Sequence, residues 1–343
     1  MLSLGHAPKR KLPKRGRMTL ISAFRTDGGA VLHADSEENF GSFRRTVQKM
    51  IPKRMGNLDV IVAGSGIGQL IEGFAAKLKE HLDSTQASTI EGLKQFVERR
   101  LPRFYSEVAA YPAPDDIKQQ EHKFIIAAYS QSDNNFEVWA NRGTALVAFT
   151  SYELAGVEDA LYDHIAQRMF LPQMTFQQAV LAGLHLFTIA ESTSTYIRGP
   201  IQVAAISRNG ISMEEPEYVQ LMQNHLRAYE RDMDRVFLAC ADTSIAVHDL
   251  QNILSEFSAN AAEMHRDHID GMMNTLHWTD ALNGGPVIKH PIGVPIGIGI
   301  GMRMTVQHDA EKAEQEKHRW KEVREWAESM RKRLRPQESE DQQ

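Results

Sequence analysis

Cysteine is nearly missing from this chain: Cys240 is the only one in 343 residues, so no intrachain disulfide can form. A chain of this length can bury a sizeable core and does without such staples, and a reducing compartment, the cytosol, suits its composition best. An unbroken apolar run of membrane length is also lacking. The apolar stretch 284–304 carries Pro286, Pro291 and Pro295, which make it a poor spanning helix and suit a loop or an edge-strand pair. The first residues hold no apolar segment of the kind a signal peptide needs, which argues against secretion. They also hold no acidic residue: 1–17 contain Lys9, Arg10, Lys11, Lys14, Arg15 and Arg17 alone among charged side chains. Taking these six from the formal net charge of −5 leaves −11 for the rest. An acidic body argues against nucleic acid as the main partner, because phosphate neutralisation needs clustered Lys and Arg on the folded surface. No internal repeat is visible.

What is present concentrates in residues 19–49. Thr19 to Phe24 reads as a strand, Asp27-Gly28-Gly29 as a turn, and Ala30 to Ala34 as a second strand ended by Asp35. Residues that face each other in an antiparallel hairpin have a constant index sum, so a turn centred on Asp27 and Gly28 sets Thr19 across from about position 36. Thr19 and Asp35 are therefore expected to be neighbours. A third short strand around Thr46 to Lys49 brings an ammonium to the same end. If Met18 is the initiator, or if a leader is cut after it, Thr19 gains a free α-amino group and the character of an activated N-terminal nucleophile. Residues 1–18 thus have three readings: a cleaved propeptide, an over-extended start, or a disordered arm.

Further along, Asp59 to Ala63 is a short apolar run of buried-strand type that ends at Gly64-Ser65-Gly66-Ile67-Gly68. Two helical stripes follow, Leu70 to Leu82 and Ile90 to Leu101, with Pro102 closing the second. Strands are expected at 123–129, 136–140 and 144–149, and a helix from Ser151 toward Phe170. Another helix runs from Thr175 through Phe187, and a last strand covers Ile201 to Ile206. Antiparallel strands interrupted by helix pairs imply two stacked sheets with helices on both outer faces, an α+β architecture. Beyond Gly210 the pattern is helical from Pro216 and again from Ile245 to about Asp270, then charged from His308 to Arg335, with a frayed tail from Pro336.

Taken together, Thr19-Leu-Ile-Ser-Ala-Phe24, Asp27-Gly-Gly-Ala-Val-Leu-His-Ala-Asp35-Ser36, Val47-Gln-Lys49 and Val62-Ala-Gly64-Ser-Gly66 resemble the proteasome β-type subunits and the related bacterial HslV peptidase, which are N-terminal nucleophile (Ntn) hydrolases of the threonine peptidase kind. The resemblance spans about residues 19–210. It implies a four-layer αββα sandwich, preceded by the leader 1–18 and followed by a mostly helical extension, 211–343.

It further implies that Thr19 Oγ attacks the scissile carbonyl. The Thr19 amine relays the proton, Asp35 keeps Lys49 charged beside the nucleophile, the Gly64 N–H lines the oxyanion hole, and Ser151 lies near the Thr19 amine. The function so implied is threonine-type endopeptidase activity in intracellular protein degradation, by a homo-oligomeric ring in the cytoplasm. It would act on peptides or unfolded protein, with an ATP-dependent unfoldase as possible partner and without metal or cofactor, nucleic acid or membrane. One family element is missing. Where an aspartate and then a serine are expected, the chain has Ser192 to Arg198, so the aspartate falls on Ser194 or Thr195 and the serine on Ile197 or Arg198; Glu191 is the candidate substitute. The usual basic residue after the second strand's aspartate is replaced by Glu37.

Two other functions fit the same fold: a catalytically inactive structural subunit, and an Ntn amidase acting on a small amide. The glycine cluster 64–68 matches neither a G-x-G-x-x-G fingerprint nor a Lys-bearing phosphate loop. Glu263, His265 and His268 lack H-E-x-x-H spacing and read as a solvated helix face rather than a metal site.

Overall fold

The computed structural model describes residues 19–277 apart from 41–42, 56, 86–88, 113–121, 157–159, 195–196 and 274–275. The charged segment 308–335 and the Gly/Pro-rich stretch 284–304 lie outside the described residues. The opening hairpin is β1 (Leu20–Thr26) and β2 (Gly29–Asp35), in register Ile21↔Ala34 through Thr26↔Gly29. That is the index sum the turn predicts, and it extrapolates to Thr19 across from position 36.

The hairpin is the centre of a six-stranded sheet in which β10 (Tyr152–Gly156) pairs with β1, and β11 (Ile201–Ser207), β12 (Gly210–Met213) and β13 (Leu276–His277) continue from β2. A second, five-stranded sheet runs β5 (Met50–Met55), β6 (Leu58–Ser65), β7 (Lys123–Ser130), β8 (Asn135–Arg142), β9 (Ala145–Ala148). A small ribbon of β3 (Glu37–Phe40) and β4 (Phe43–Thr46) links the two. All strand pairs are antiparallel.

The sheets stack through Ile21, Ala23, Leu32 and Ala34 on one side and Ile61, Ala63, Ile125 and Ala127 on the other. Alternate residues of the same strands face outward. Val60, Val62, Phe124 and Ile126 meet α1 (Gly68–Thr85) and α2 (Ile90–Ala110), whereas Leu20, Phe24, Val31 and Val203 meet α4 (Phe176–Thr193). Strands buried on both faces have no polar side to show, which is why β6 and β7 read as continuous apolar runs. The result is the expected αββα sandwich. Helix α3 (Ala160–Met169) joins the layer of α4, and α5 (Pro216–Ala241) and α6 (Val247–Met273) form the helical continuation.

Four local expectations are corrected. Helix α2 does not stop at Pro102 but continues to Ala110. The proline removes one backbone donor, yet Phe104 and Val108 prolong the buried stripe, and the Phe104 ring meets those of Phe74 and Phe124 at 5.8 and 4.9 Å. The segment after Ser151 is the strand β10, not a helix, because β1 would otherwise be left with an unpaired edge; Tyr152 and Leu154 pack toward the helices while Ala155 faces the other sheet. Residues 47–49 are not a strand, and Lys49 lies immediately before β5. Finally, β11 is not the last strand, since Asn209 and Gly210 turn it into β12.

Candidate active site

Asp35 ends β2 with its carboxylate enclosed: Oδ1 accepts the Leu20 N–H at 2.9 Å, and Oδ2 accepts from Lys49 Nζ at 2.8 Å. The Lys49 ammonium, 7% exposed, also donates to Thr19 Oγ1 at 2.9 Å and to the Glu37 carbonyl at 2.8 Å. Three acceptors around one nitrogen consume three hydrogens, which only the protonated form has. Burial pushes the Asp35 carboxyl up to about 6, against the opposing pull of Lys49, so Asp35 is a carboxylate at neutral pH. The hydroxyl, the ammonium and the carboxylate read from the sequence therefore meet as one constellation. A positive charge next to Oγ1 lowers the cost of negative charge developing on that oxygen.

The position of Gly64 follows from ladder geometry. The Phe124 N–H is taken by the Asn141 side chain, so Phe124 directs its backbone groups away from β6, and its partner Gly64 turns its own N–H to the opposite edge. There the register Met50↔Ala63 extrapolates to Lys49 across from Gly64. A Cβ at Gly64 would strike Ile71 Cγ2 at 2.5 Å on the helix-facing side.

Ser151 is not brought to this group. Its carbonyl accepts the Arg25 N–H, and β10 runs antiparallel to β1 with Leu20 across from Gly156, which leaves Ser151 about 20 Å along β1 from Thr19 at roughly 3.4 Å per residue. Gly156 stands beside Thr19 instead: at φ +98° a Cβ there would be 1.8 Å from the Thr19 carbonyl oxygen. Glu191 does not fill the place of the absent aspartate either. Its carboxylate is held on α4 by Arg227 at 2.8 Å and Gln223 at 3.1 Å, both from α5.

Sequence reasoning missed Gln202. Its side chain accepts the Lys49 N–H at 2.9 Å and donates to the Val47 carbonyl at 2.7 Å. The available signal was a lone amide within the apolar strand Ile-Gln-Val-Ala-Ala-Ile, on the same face as Ala204 and Ile206. Among the described residues, no group of three or more His, Cys, Asp or Glu side chains is placed to hold a metal ion. His268 spends both ring nitrogens on the Tyr218 hydroxyl and the Gln177 carbonyl. No helix among the described residues is long and apolar enough to cross a membrane.

No protein-family profile matches the chain, and no curated protein sequence does. Solved structures do. An Anbu Gly-1 mutant from Hyphomicrobium sp. strain MC1 superposes with a TM-score of 0.53 at 16% identity, over 64% of this chain and 96% of that one. Anbu from Yersinia bercovieri, described as an ancestral beta-subunit, gives 0.53 at 12% over 66% and 99%. A helical assembly of the Anbu complex from Pseudomonas aeruginosa gives 0.52 at 14% over 63% and 95%. At these identities the likeness is one of fold. It corrects the assignment made from sequence: the structural neighbours are Anbu proteins, proteasome-related subunits, and not HslV-like threonine peptidases. The chain has a proteasome-related, β-subunit-like fold.

Proposed function

We propose that this protein hydrolyses peptide bonds with Thr19 as an N-terminal nucleophile, as a subunit of an Anbu-like assembly in the cytoplasm. One observation carries the reading: a single ammonium, Lys49 Nζ, touches both Thr19 Oγ1 and a buried carboxylate. Once residue 18 is severed, the Thr19 amine is the base closest in the chain to Oγ. It takes the hydroxyl proton as Oγ adds to the carbonyl carbon, and later returns it to the leaving amine. Lys49 compensates the charge on Oγ, and the Gly64 N–H is turned to the edge where the oxyanion forms. Assembly is proposed because one Anbu neighbour is described as a helical assembly.

Intact mass and a β-lactone probe, which acylates the nucleophile by ring opening, test the reading. The expected result is a mature chain beginning at Thr19. Its labelling is abolished in Thr19→Ala and reduced at least about a hundredfold in Lys49→Ala. Labelling that persists in Thr19→Ala overturns the proposal. A chain that keeps residues 1–18 and never labels is the inactive structural subunit, a reading favoured by the engagement of Glu191 away from the site.

A further inference from the structure

Lys49 is carried by a segment that belongs to no strand. β4 ends at Thr46 and β5 begins at Met50, so no ladder fixes residues 47–49. The six-stranded sheet and its margin fix them instead. The Val47 N–H donates to the Ser36 carbonyl at 2.8 Å, the Val47 carbonyl accepts from Gln202 Nε2 at 2.7 Å, and the Lys49 N–H donates to Gln202 Oε1 at 2.9 Å. A primary amide turned over would set donor against donor and acceptor against acceptor, so these two backbone groups admit one orientation of the side chain. Gln202 sits across from Ala34, and Ile201 across from Asp35. The backbone that delivers the ammonium is thereby tied to the strand pair that holds its carboxylate.

We infer that Gln202 is a positioning residue for catalysis: its amide clamps the Lys49 main chain so that the ammonium reaches Asp35 and Thr19 Oγ1 together. An ammonium on four flexible methylenes meets three acceptors at 2.8–2.9 Å only if its Cα is held in place. The missing aspartate makes this support more consequential. The inference rests on the nucleophile reading of Thr19, and the clamp has a readout of its own.

Gln202→Met keeps length and volume and removes both hydrogen bonds. In the full-length protein as purified, exchange of the Lys49 amide, followed by peptide-resolved mass spectrometry across 46–52, is expected to accelerate about tenfold or more. Maximal inactivation by the β-lactone probe is expected to slow by about ten- to a hundredfold, with the half-saturating probe concentration unchanged. Gln202→Glu, which keeps the acceptor for Lys49 and loses the donor to Val47, should fall between; it also carries the comparison if Gln202→Met does not fold. In a Lys49→Ala background Gln202→Met should have no further effect on rate, since the group it places is gone, whereas a merely structural residue would cost the same in both backgrounds. Unchanged exchange at Lys49 overturns the inference. So does a wild-type rate in Gln202→Met while Thr19→Ala abolishes labelling, and the nucleophile assignment then stands. Labelling that survives Thr19→Ala instead removes that assignment and the inference together.

Discussion

Asp35 is the residue on which charge and pH meet. Its carboxyl, raised by burial to about 6, must be ionised for Lys49 to be held charged between Oγ1 and Oδ2. In the proposed reaction a freed Thr19 amine, for which the reference range is about 7.7 to 8.0, must be neutral to take the proton. The logarithm of the labelling rate is therefore expected to fall with unit slope below about pH 8 and with a slope of two below about 6. Asp35→Asn should keep the first break, lose the second and lower the plateau; a pH series of probe inactivation rates decides it.

Stability follows a different sign. Folded Asp35 keeps its proton to higher pH than an unfolded carboxyl, so its contribution is full below 3.8 and is lost as pH rises through about 6. His33 runs the other way. Burial lowers it to about 3, so its contribution is present above 6.5 and is lost as pH falls toward 3. The two offset each other between about pH 4 and 6. Urea unfolding of Asp35→Asn in that window should show a steeper loss of stability on acidification than wild type.

At the scale of elements, the same histidine explains how α4 sits on β2. With its Nε2–H donated to the Val180 carbonyl at 3.1 Å, the neutral ring leaves Nδ1 to accept from the Ser22 hydroxyl at 3.3 Å. The helix comes so close that a Cβ on Gly183 would lie 2.0–2.3 Å from three ring atoms. The ring is pinned at both nitrogens and cannot give way. Gly183→Ala should cost about 2–3 kcal/mol, read as a lower denaturation midpoint at unchanged m-value. Gly73, inside α1, is the control: a Cβ there meets nothing within 4 Å, so Gly73→Ala should stabilise by roughly 0.5–1 kcal/mol.

Legibility divides along the same line. The hairpin register could be read because an index sum is fixed by the turn alone, and it delivered Thr19 and Asp35 to each other. Lys49 reads as the end of a strand, since what holds residues 47–49 is a side chain some 150 residues away, invisible to any local pattern. Leu154, Leu161 and Ile165 fit helical spacing, which predicts a helix from Ser151 onward; Leu154 and Ile165 do pack into one core, but from two elements. Pro102 reads as a stop because propensity is local, while the ring contacts that carry α2 past it come from α1 and β7. Ser151 was assigned by resemblance alone, and the direction of β10 along β1 settles its distance from Thr19.

On the scale of the whole molecule, the open matter is whether the domain expected from sequence, 19–210, stands by itself. Helix α5 lies beyond that boundary, yet Tyr218, Val219, Met222 and Leu226 belong to the same core as Leu20, Phe24 and Val203. α6 adds His268, which ties the Tyr218 hydroxyl at 2.5 Å to the Gln177 carbonyl at 3.1 Å, and Arg227 of α5 pairs with Glu191 of α4 at 2.8 Å. Four apolar side chains of this size contribute on the order of 6–12 kcal/mol at roughly 1.5–3 each, an upper bound. The total stability of a domain is about 5–15 kcal/mol. Removing the pair of helices thus takes away an amount comparable to the whole and exposes the outer face of α4. A chain ending at Met213 is therefore expected not to fold cooperatively, which near-ultraviolet circular dichroism and a thermal melt will report. A sharp melt from that truncated chain, with Thr19 still labelled by the β-lactone, would establish instead that 19–210 is self-sufficient and that α5 and α6 are an appendage to it.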